Sequence, residues 1–140
     1  SRLFSRSDDK TNFNNLNRIS GAFLCLGSHQ PRQWLKAYLA KGTFIMLQAP
    51  NVTDCFKMLA AKRVDAVAID ELTGIAIIKQ QTLKRSGFKI SKKNLGRLSS
   101  RHFLVAKSDE TSQTFLARFN KSLAAIRASG AYAKILRRYK

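Results

Sequence analysis

An acidic residue follows directly on a short apolar run in the middle of the chain. Val64 to Ile69 consists almost entirely of small or β-branched apolar residues, and Asp70 ends the run. Such a run is too short for a helix and is typical of a buried strand in a parallel sheet. Because ligands of open α/β sheets bind outside the carboxyl ends of the strands, Asp70 is a candidate for holding an ammonium group. Asp is also a frequent helix N-cap, and position alone does not separate the two roles.

Two other polar turns follow apolar segments of the same kind. Gly27, Ser28 and His29 precede a helix, so free backbone N–H groups, the helix dipole and the Ser28 hydroxyl favour an anion such as a carboxylate. Plain helix capping also explains Ser28 and His29, and geometry alone favours that role. Asn51 follows the next apolar segment, and either Asn51 or Thr53 can cap the helix after it. An anion-binding turn and a cation-binding acid at one sheet edge match an α-amino acid or a similar zwitterion, so the predicted ligand-binding residues are Asp70, Ser28, His29, Gly27 and Asn51.

Strands and helices alternate along the part of the chain that must position these residues. Strands are predicted at 22–26, 43–48 and 65–69, each followed by a helical pattern. The order β-α-β-α-β-α predicts an α/β fold, with a mostly parallel sheet in a three-layer α/β/α arrangement.

Weaker patterns flank this core. Leu3 and Phe4 predict a short edge strand, and residues 103–106 predict a further strand. Apolar residues at helical spacing over 109–129 predict a long amphipathic helix. We expect that helix to bury Phe115, Phe119 and Leu123.

The charge balance is strongly basic, with 26 Lys and Arg against 8 Asp and Glu and a net charge of +18. No acid occurs from Leu72 to Ser108, and none from Thr111 to the end. This excess makes a polyanion-binding or nucleic-acid-binding domain the alternative hypothesis. However, the basic residues are scattered and accompany no helix-turn-helix spacing, zinc-ligand set or aromatic-basic RNA motif. We therefore interpret them mainly as a solvated surface and do not expect a nucleic-acid partner.

Cysteine and histidine usage argues against metal or cofactor chemistry. Cys25 and Cys55 lie among apolar residues, and we expect small buried thiols there; one disulfide, formed in an oxidising compartment, is the alternative. The two His residues have no metal-binding spacing, so neither a metal nor a cofactor is expected.

No apolar run reaches the roughly 18 residues of a membrane span. No secretory signal is visible at the N-terminus, an absence that a trimmed chain would share.

Several short segments resemble one family in both their order and their spacing. The segment Arg63 to Asp70 is similar to the "grvDavvaD" segment of the family 3 extracellular solute-binding proteins, the periplasmic amino-acid-binding components of ABC transporters. Ile19 to Ala22 resembles the family's "LkGk.v" segment before the first strand. Three C-terminal runs resemble the same family, namely Phe103–Asp109, Phe119–Leu123 and Ser129–Ile135.

The resemblance implies a non-catalytic, periplasmic-binding-protein-like fold of type II, in which two α/β lobes clamp a solute. The chain, residues 1–140, then forms a single α/β domain: residues 14–100 are the core of the second lobe, and residues 101–140 return to the first lobe. In the family, the acid matching Asp70 often holds the ligand's α-amino group. The Gly-Ser/Thr-Thr turn often holds its α-carboxylate; the segment Gly27 to His29 matches that turn except for His in place of the last Thr.

The implied partners are an amino-acid-like solute and the membrane permease of an ABC transporter, in the periplasm. Because the family's first lobe has no counterpart in this chain, the apolar face of the long helix predicts a homo-oligomer or a domain swap.

An enzyme on the same fold is a third hypothesis, which we do not favour. It would need a carboxylate with a raised pKa beside a partner acid, and sequence neighbours such as Asp70 and Glu71 usually point apart.

Overall fold

The structure of the chain, a computed structural model, forms two compact units. One lies within residues 1–98 and the other within residues 99–140. The first unit contains the sheet and the predicted ligand-binding edge, whereas the second contains two helices. The structure describes residues 1–26, 33–81, 83–96, 102–107 and 110–138.

The described residues of the first unit form a five-stranded mixed sheet. In chain order the strands are β1 Arg2–Arg6, β2 Ala22–Cys25, β3 Phe44–Leu47, β4 Ala66–Ile69 and β5 Phe88–Ile90. Their spatial order is β3-β2-β4-β1-β5. β2 pairs in parallel with β3 and β4, whereas β1 runs antiparallel to β4 and β5. The three predicted strands and the parallel core that they form are confirmed.

The prediction that Leu3 and Phe4 form an edge strand is wrong, because β1 lies inside the sheet between β4 and β5. Both side chains are fully buried, Leu3 in the core on one face of the sheet and Phe4 in the core on the other. The polar residues around them suggest an edge strand. The pairing of Arg2 with Ile69, however, joins segments far apart in the sequence, and no local pattern reveals such a pairing.

Three helices cover the two faces of the sheet and complete the predicted three layers. They are α1 Gln33–Ala40, α2 Val52–Ala60 and α3 Glu71–Gln80. Leu35 of α1 packs in the core with Leu24 on one face, whereas Phe56 of α2 and Ile75 of α3 pack in the core with Val67 on the other. Single 3₁₀ turns occur at Leu16–Arg18 and Arg85–Gly87.

The two cysteines are fully buried, as predicted, but they form the disulfide that the sequence left as the alternative. Cys25 is the last residue of β2 and Cys55 lies in α2, with Cα atoms 5.6 Å apart. Sequence alone could not show this, because residues 30 positions apart meet only when α2 packs on the sheet. The disulfide therefore ties α2 to the carboxyl end of β2.

A charged cluster holds the amino end of the sheet together. The Arg6 guanidinium donates hydrogen bonds to the carbonyl oxygens of Leu59 and Val64, at 3.2 and 2.7 Å. It also lies 3.7 Å from a carboxylate oxygen of Asp9 and 3.8 Å from one of Asp65. Since the partners of Arg6 come from several elements, this residue fixes α2 and β4 against β1.

The pKa of Asp9 in this cluster is held below its ordinary value. Burial acts in the opposite direction and raises the pKa, but the hydrogen bonds from Thr11 outweigh it together with the positive charges of Arg6 and Lys89. The ionised form of Asp9 is therefore favoured in the folded chain.

The second unit consists mainly of α4 Glu110–Ala128 and α5 Ala131–Arg137, joined at Gly130 in the left-handed conformation (φ 75°). The long helix is confirmed, but the predicted burial of its apolar residues is wrong. Phe115 is 49% exposed, and Phe119 and Leu123 are only half-buried. The rings of Phe103, Phe115 and Phe119 pack on one another, with centroids 5.1 to 6.2 Å apart, and this leaves their outer faces in solvent.

The strand predicted at 103–106 is not formed. Leu104 is 87% exposed, and the described residues of this unit offer no neighbouring strand with which the segment could pair. An extended apolar segment becomes a strand only when a neighbouring strand satisfies its backbone N–H and C=O groups. The apolar pattern alone could not indicate whether such a neighbour exists.

Candidate functional site

Asp70 lies at the carboxyl end of β4, where the sequence predicts it, and begins α3. Its Oδ1 accepts hydrogen bonds from the backbone N–H of Thr73 at 3.0 Å and from the Thr73 hydroxyl at 3.2 Å. Asp70 is therefore the N-cap of α3. A carboxylate has about four lone-pair sites, so this role is compatible with holding a ligand. The residue is partly exposed, which allows a solute to reach it.

Arg2 and Glu71 form an ion pair beside Asp70 that the sequence analysis missed. The Arg2 Nε lies 3.4 Å from a Glu71 carboxylate oxygen, and both side chains are partly buried. The guanidinium also donates to the carbonyl oxygen of Ser91 at 2.9 Å and to that of Lys92. Arg2 thus joins the start of α3 to the segment that follows β5. No local signal could have found this pair, because only the antiparallel pairing of β1 with β4 brings the two residues together.

Asn51 follows β3 at the same edge of the sheet and caps α2. Its side-chain oxygen accepts a hydrogen bond from the Asp54 backbone N–H at 2.9 Å, and its side-chain nitrogen donates to the Asp54 carboxylate at 2.8 Å. Both ends of the amide are therefore engaged within the first turn of α2. The capping alternative for Asn51 is confirmed, and its role as a ligand residue stays a prediction.

The predicted anion-binding turn, Gly27, Ser28 and His29, lies outside the described residues. The strand that precedes this turn in the sequence, β2, ends at Cys25 and pairs in register with Leu47 of β3 and Val67 of β4. The carboxyl ends of these three parallel strands therefore share one edge, which we call the carboxyl edge. All five predicted residues follow strands that end there.

Three acids lie at the carboxyl edge although the chain carries a net charge of +18. Two of them are paired with bases, Asp54 with Lys57 at 3.1 Å and Glu71 with Arg2 at 3.4 Å. Asp54, Asp70 and Glu71 all lie at or within the first turn of a helix that starts there. Carboxylates in that position are stabilised by the helix dipole.

The described residues give no structural sign of a metal centre or a membrane span. No group of three or more His, Cys, Asp or Glu side chains among them could hold a metal ion. None of the helices in this part of the chain combines the length and the apolar character that a membrane crossing needs.

Comparison with solved structures identifies the fold. The second substrate-binding domain assigned to an amino acid ABC transporter of Streptococcus pneumoniae aligns with 99% of this chain, with a TM-score of 0.77 and 19% identity. Substrate-binding domain 2 of Lactococcus lactis GlnP, in an open conformation, aligns with 99% of the chain, with a TM-score of 0.70 and 21% identity. No protein-family model and no curated protein sequence matches the chain.

These alignments cover only part of the solved chains. The present chain spans 59% of the Streptococcus pneumoniae domain and 56% of the Lactococcus lactis domain. Domain 2 of the arginine-binding protein TmArgBP is covered over 98% of its length by 69% of this chain, with a TM-score of 0.53 and 19% identity. The chain therefore has the periplasmic-binding-protein-like α/β fold of amino acid ABC transporter substrate-binding domains, and the larger part of it corresponds to a single second domain.

Proposed function

We propose that this chain supplies the second lobe of a solute-binding protein, the substrate-binding component of an ABC transporter. It binds an amino acid or a similar small zwitterion without catalysis. The observation that carries the proposal is the position of Asp70, a partly exposed carboxylate at the carboxyl end of β4 in this fold. A carboxylate there can accept hydrogen bonds from a ligand ammonium group while it caps α3.

The combination of an acid and a turn that favours anions supports a zwitterionic ligand. Asp70 would hold the ammonium group, and the turn at Gly27, Ser28 and His29 would offer N–H and O–H donors to the carboxylate. The opposite preferences of these two groups would orient the solute along the edge. Because the chain spans little more than half of the matched structures, the remaining contacts would come from a first lobe.

The disulfide supports an extracytoplasmic location. Disulfides persist in oxidising compartments such as the periplasm and are rare in the cytosol, where thiols are kept reduced. Cys25 and Cys55 are fully buried and joined, which suits a protein that works in the periplasm beside a membrane permease.

A thermal-shift screen of the common amino acids, run at low and at high salt, tests the proposal. We expect one or a few of them to raise the melting temperature at both salt concentrations. A ligand at ten times its dissociation constant stabilises the folded state by about 1.4 kcal/mol. Titrations followed by NMR extend the screen to weak binding.

The same screen with heparin tests the polyanion alternative. Binding to scattered basic residues should stabilise the chain only at low salt, since counterion release makes that interaction strongly salt-dependent. If heparin stabilised the chain and no amino acid did so by either method, the basic-domain hypothesis would replace the present one.

A further inference from the structure

Two arginines of β1, Arg2 and Arg6, lie at opposite ends of the sheet. β1 runs antiparallel to β4, and Arg2 pairs with Ile69, the last residue of β4 before Asp70. Arg2 therefore lies at the carboxyl edge, whereas Arg6 lies at the other end of the strand. Arg6 belongs to the charged cluster at the amino end, and Arg2 lies beside the candidate site.

The Arg2 guanidinium joins two backbone segments at the carboxyl edge. Its Nε lies 3.4 Å from a carboxylate oxygen of Glu71, the first residue of α3. Its Nη1 donates to the carbonyl oxygen of Ser91, at 2.9 Å, and to that of Lys92. The planar fork of an arginine holds such partners in fixed directions. The start of α3 is therefore tied to the segment that follows β5.

The segment at residues 91–95 is itself fixed against β1. The Ser91 backbone N–H donates to the Leu3 carbonyl oxygen at 2.8 Å, and the Leu95 N–H donates to the Ser1 carbonyl oxygen at 2.8 Å. The buried Ser91 hydroxyl oxygen accepts a hydrogen bond from the Leu3 N–H at 3.0 Å. Because the segment is anchored in this way, the guanidinium holds α3 against a part of the chain that cannot easily move.

The first turn of α3 depends on groups outside the helix. The first four backbone N–H groups of a helix have no partner within it, and helix ends fray. In α3 the Asp70 carboxylate satisfies one of these groups, the N–H of Thr73. Because Glu71 follows Asp70 directly, a contact that fixes Glu71 also limits where Asp70 can lie.

We propose that Arg2 is a positioning residue for the solute site. It does not touch the solute. Through Glu71 it holds the first turn of α3, and with it the Asp70 carboxylate, where an ammonium group binds. The inference rests on the proposed function, because its effect is on the affinity of that same site. A hydrogen bond weakens as its distance and angle depart from the optimum, so a loosely held Asp70 binds an ammonium group more weakly.

Arg2→Gln tests the proposal, with Arg6→Gln as the matched control. Both arginines belong to β1, both side chains are largely buried (23% and 15% exposed), and each donates to two backbone carbonyl oxygens. The probe is the amino acid that raises the melting temperature most in the thermal-shift screen. We expect Arg2→Gln to weaken its binding about three- to tenfold in an NMR titration. Arg6→Gln should leave the affinity unchanged, even where it lowers the melting temperature as much.

Hydrogen exchange of the Thr73 amide reports on the same turn without any solute. This N–H donates to Asp70 Oδ1 at 3.0 Å, so its exchange rate depends on how firmly the first turn is held. In the solute-free protein, this amide should exchange about three- to tenfold faster in Arg2→Gln than in Arg6→Gln. Equal exchange rates in the two variants would overturn the proposal.

Glu71→Gln and the double variant separate positioning from a simple effect of charge. If Arg2 acts by holding Glu71, each single variant weakens binding, and the two losses do not add in the double variant. A guanidinium that acted only as a positive charge would repel an ammonium group, and Arg2→Gln would then strengthen binding. Additive losses, or a gain in affinity, would overturn the proposal.

The outcomes also distinguish this inference from the proposed function. An affinity that falls in Asp70→Asn but not in Arg2→Gln would refute the positioning role and leave the function standing. Absence of amino-acid binding in the wild type would refute both. If Arg2→Gln failed to fold, Glu71→Gln would test the same contact, and an unchanged affinity in that variant would overturn the proposal.

Discussion

Gly74 offers a sharp test of how the sheet positions the candidate site. It lies in the first half of α3, and its backbone N–H donates to the carbonyl oxygen of Asp70 at 2.9 Å. A Cβ at this position would lie 2.3, 2.6 and 2.9 Å from three ring carbons of Phe4. Phe4 is fully buried and packs edge-on against Phe56, with ring centroids 5.3 Å apart, so its ring has little freedom to move aside.

The expected effect of Gly74→Ala is the difference between two opposing terms. Overpacking in a well-packed core costs about 1–3 kcal/mol, and contacts this short favour the upper end of that range. The higher helix propensity of Ala returns about 1 kcal/mol. We therefore expect a net loss of about 1–2 kcal/mol in the free energy of unfolding, measured by urea denaturation with Trp34 fluorescence as the probe.

A double-mutant cycle shows whether the loss comes from this contact. Phe4→Leu removes the ring carbons that the new methyl group would meet, so Gly74→Ala should cost about 1 kcal/mol less in that background. Gly87→Ala is the matched control, because a Cβ there meets nothing within 4 Å; its effect should stay within about 0.5 kcal/mol. A stable Gly74→Ala variant with no coupling to Phe4 would refute the packing of α3 on β1.

Three other features of the fold lead to separate predictions. Replacing Cys25 and Cys55 together by Ala should lower the free energy of unfolding by about 3–4 kcal/mol, because the disulfide closes a loop of 30 residues; an unchanged urea midpoint would contradict this. The pKa of Asp9 is lower in the folded chain than in the unfolded chain, so the ionised carboxylate stabilises the fold. This contribution to the free energy of unfolding is fully present above the unfolded pKa of about 4 and is lost as the pH falls through the folded value. Asp9→Asn should therefore flatten the acid limb of the pH–stability curve, and parallel curves for variant and wild type would be inconsistent with the Arg6 cluster. The exposed aromatic face of α4 should cause self-association at high concentration, and Phe115→Ser should weaken it; a wild-type chain that stays monomeric by light scattering would argue against it.

The central strands were predictable because their signals are local. The apolar runs that became β2, β3 and β4 are bounded by turns and separated by helical patterns, and this is enough to predict a parallel α/β sheet. The same local signals predicted that Asp70 follows a buried strand and Asn51 starts a helix. The sequence also offers capping as a role for each of these residues, and both side chains act as N-caps in the structure.

The features that the sequence did not predict depend on contacts between distant segments. The interior position of β1 and the Arg2–Glu71 ion pair both follow from the antiparallel pairing of β1 with β4. The disulfide forms because α2 packs on the sheet. Residues 103–106 show the opposite case. Their local pattern predicts a strand, but the described residues of this unit contain no strand with which the segment could pair.

The most direct test of the proposed function is an NMR titration of the chain with the amino acids that raise its melting temperature in the screen, comparing the wild type with Asp70→Asn. The Thr73 amide donates to Asp70 and should report ligand binding at that carboxylate. Asp70→Asn keeps the shape and the cap but loses the charge, and Asp70→Ala loses the cap as well. The Ala variant should therefore lose about 0.5–2 kcal/mol of stability, whereas the Asn variant should lose little.

We predict that at least one of these amino acids shifts the Thr73 resonance saturably. We also predict that Asp70→Asn weakens this binding about ten- to a hundredfold, the contribution of one charge-assisted hydrogen bond. Equal affinity in the wild type and in Asp70→Asn would contradict the assignment of Asp70 as the residue that holds the ligand's ammonium group.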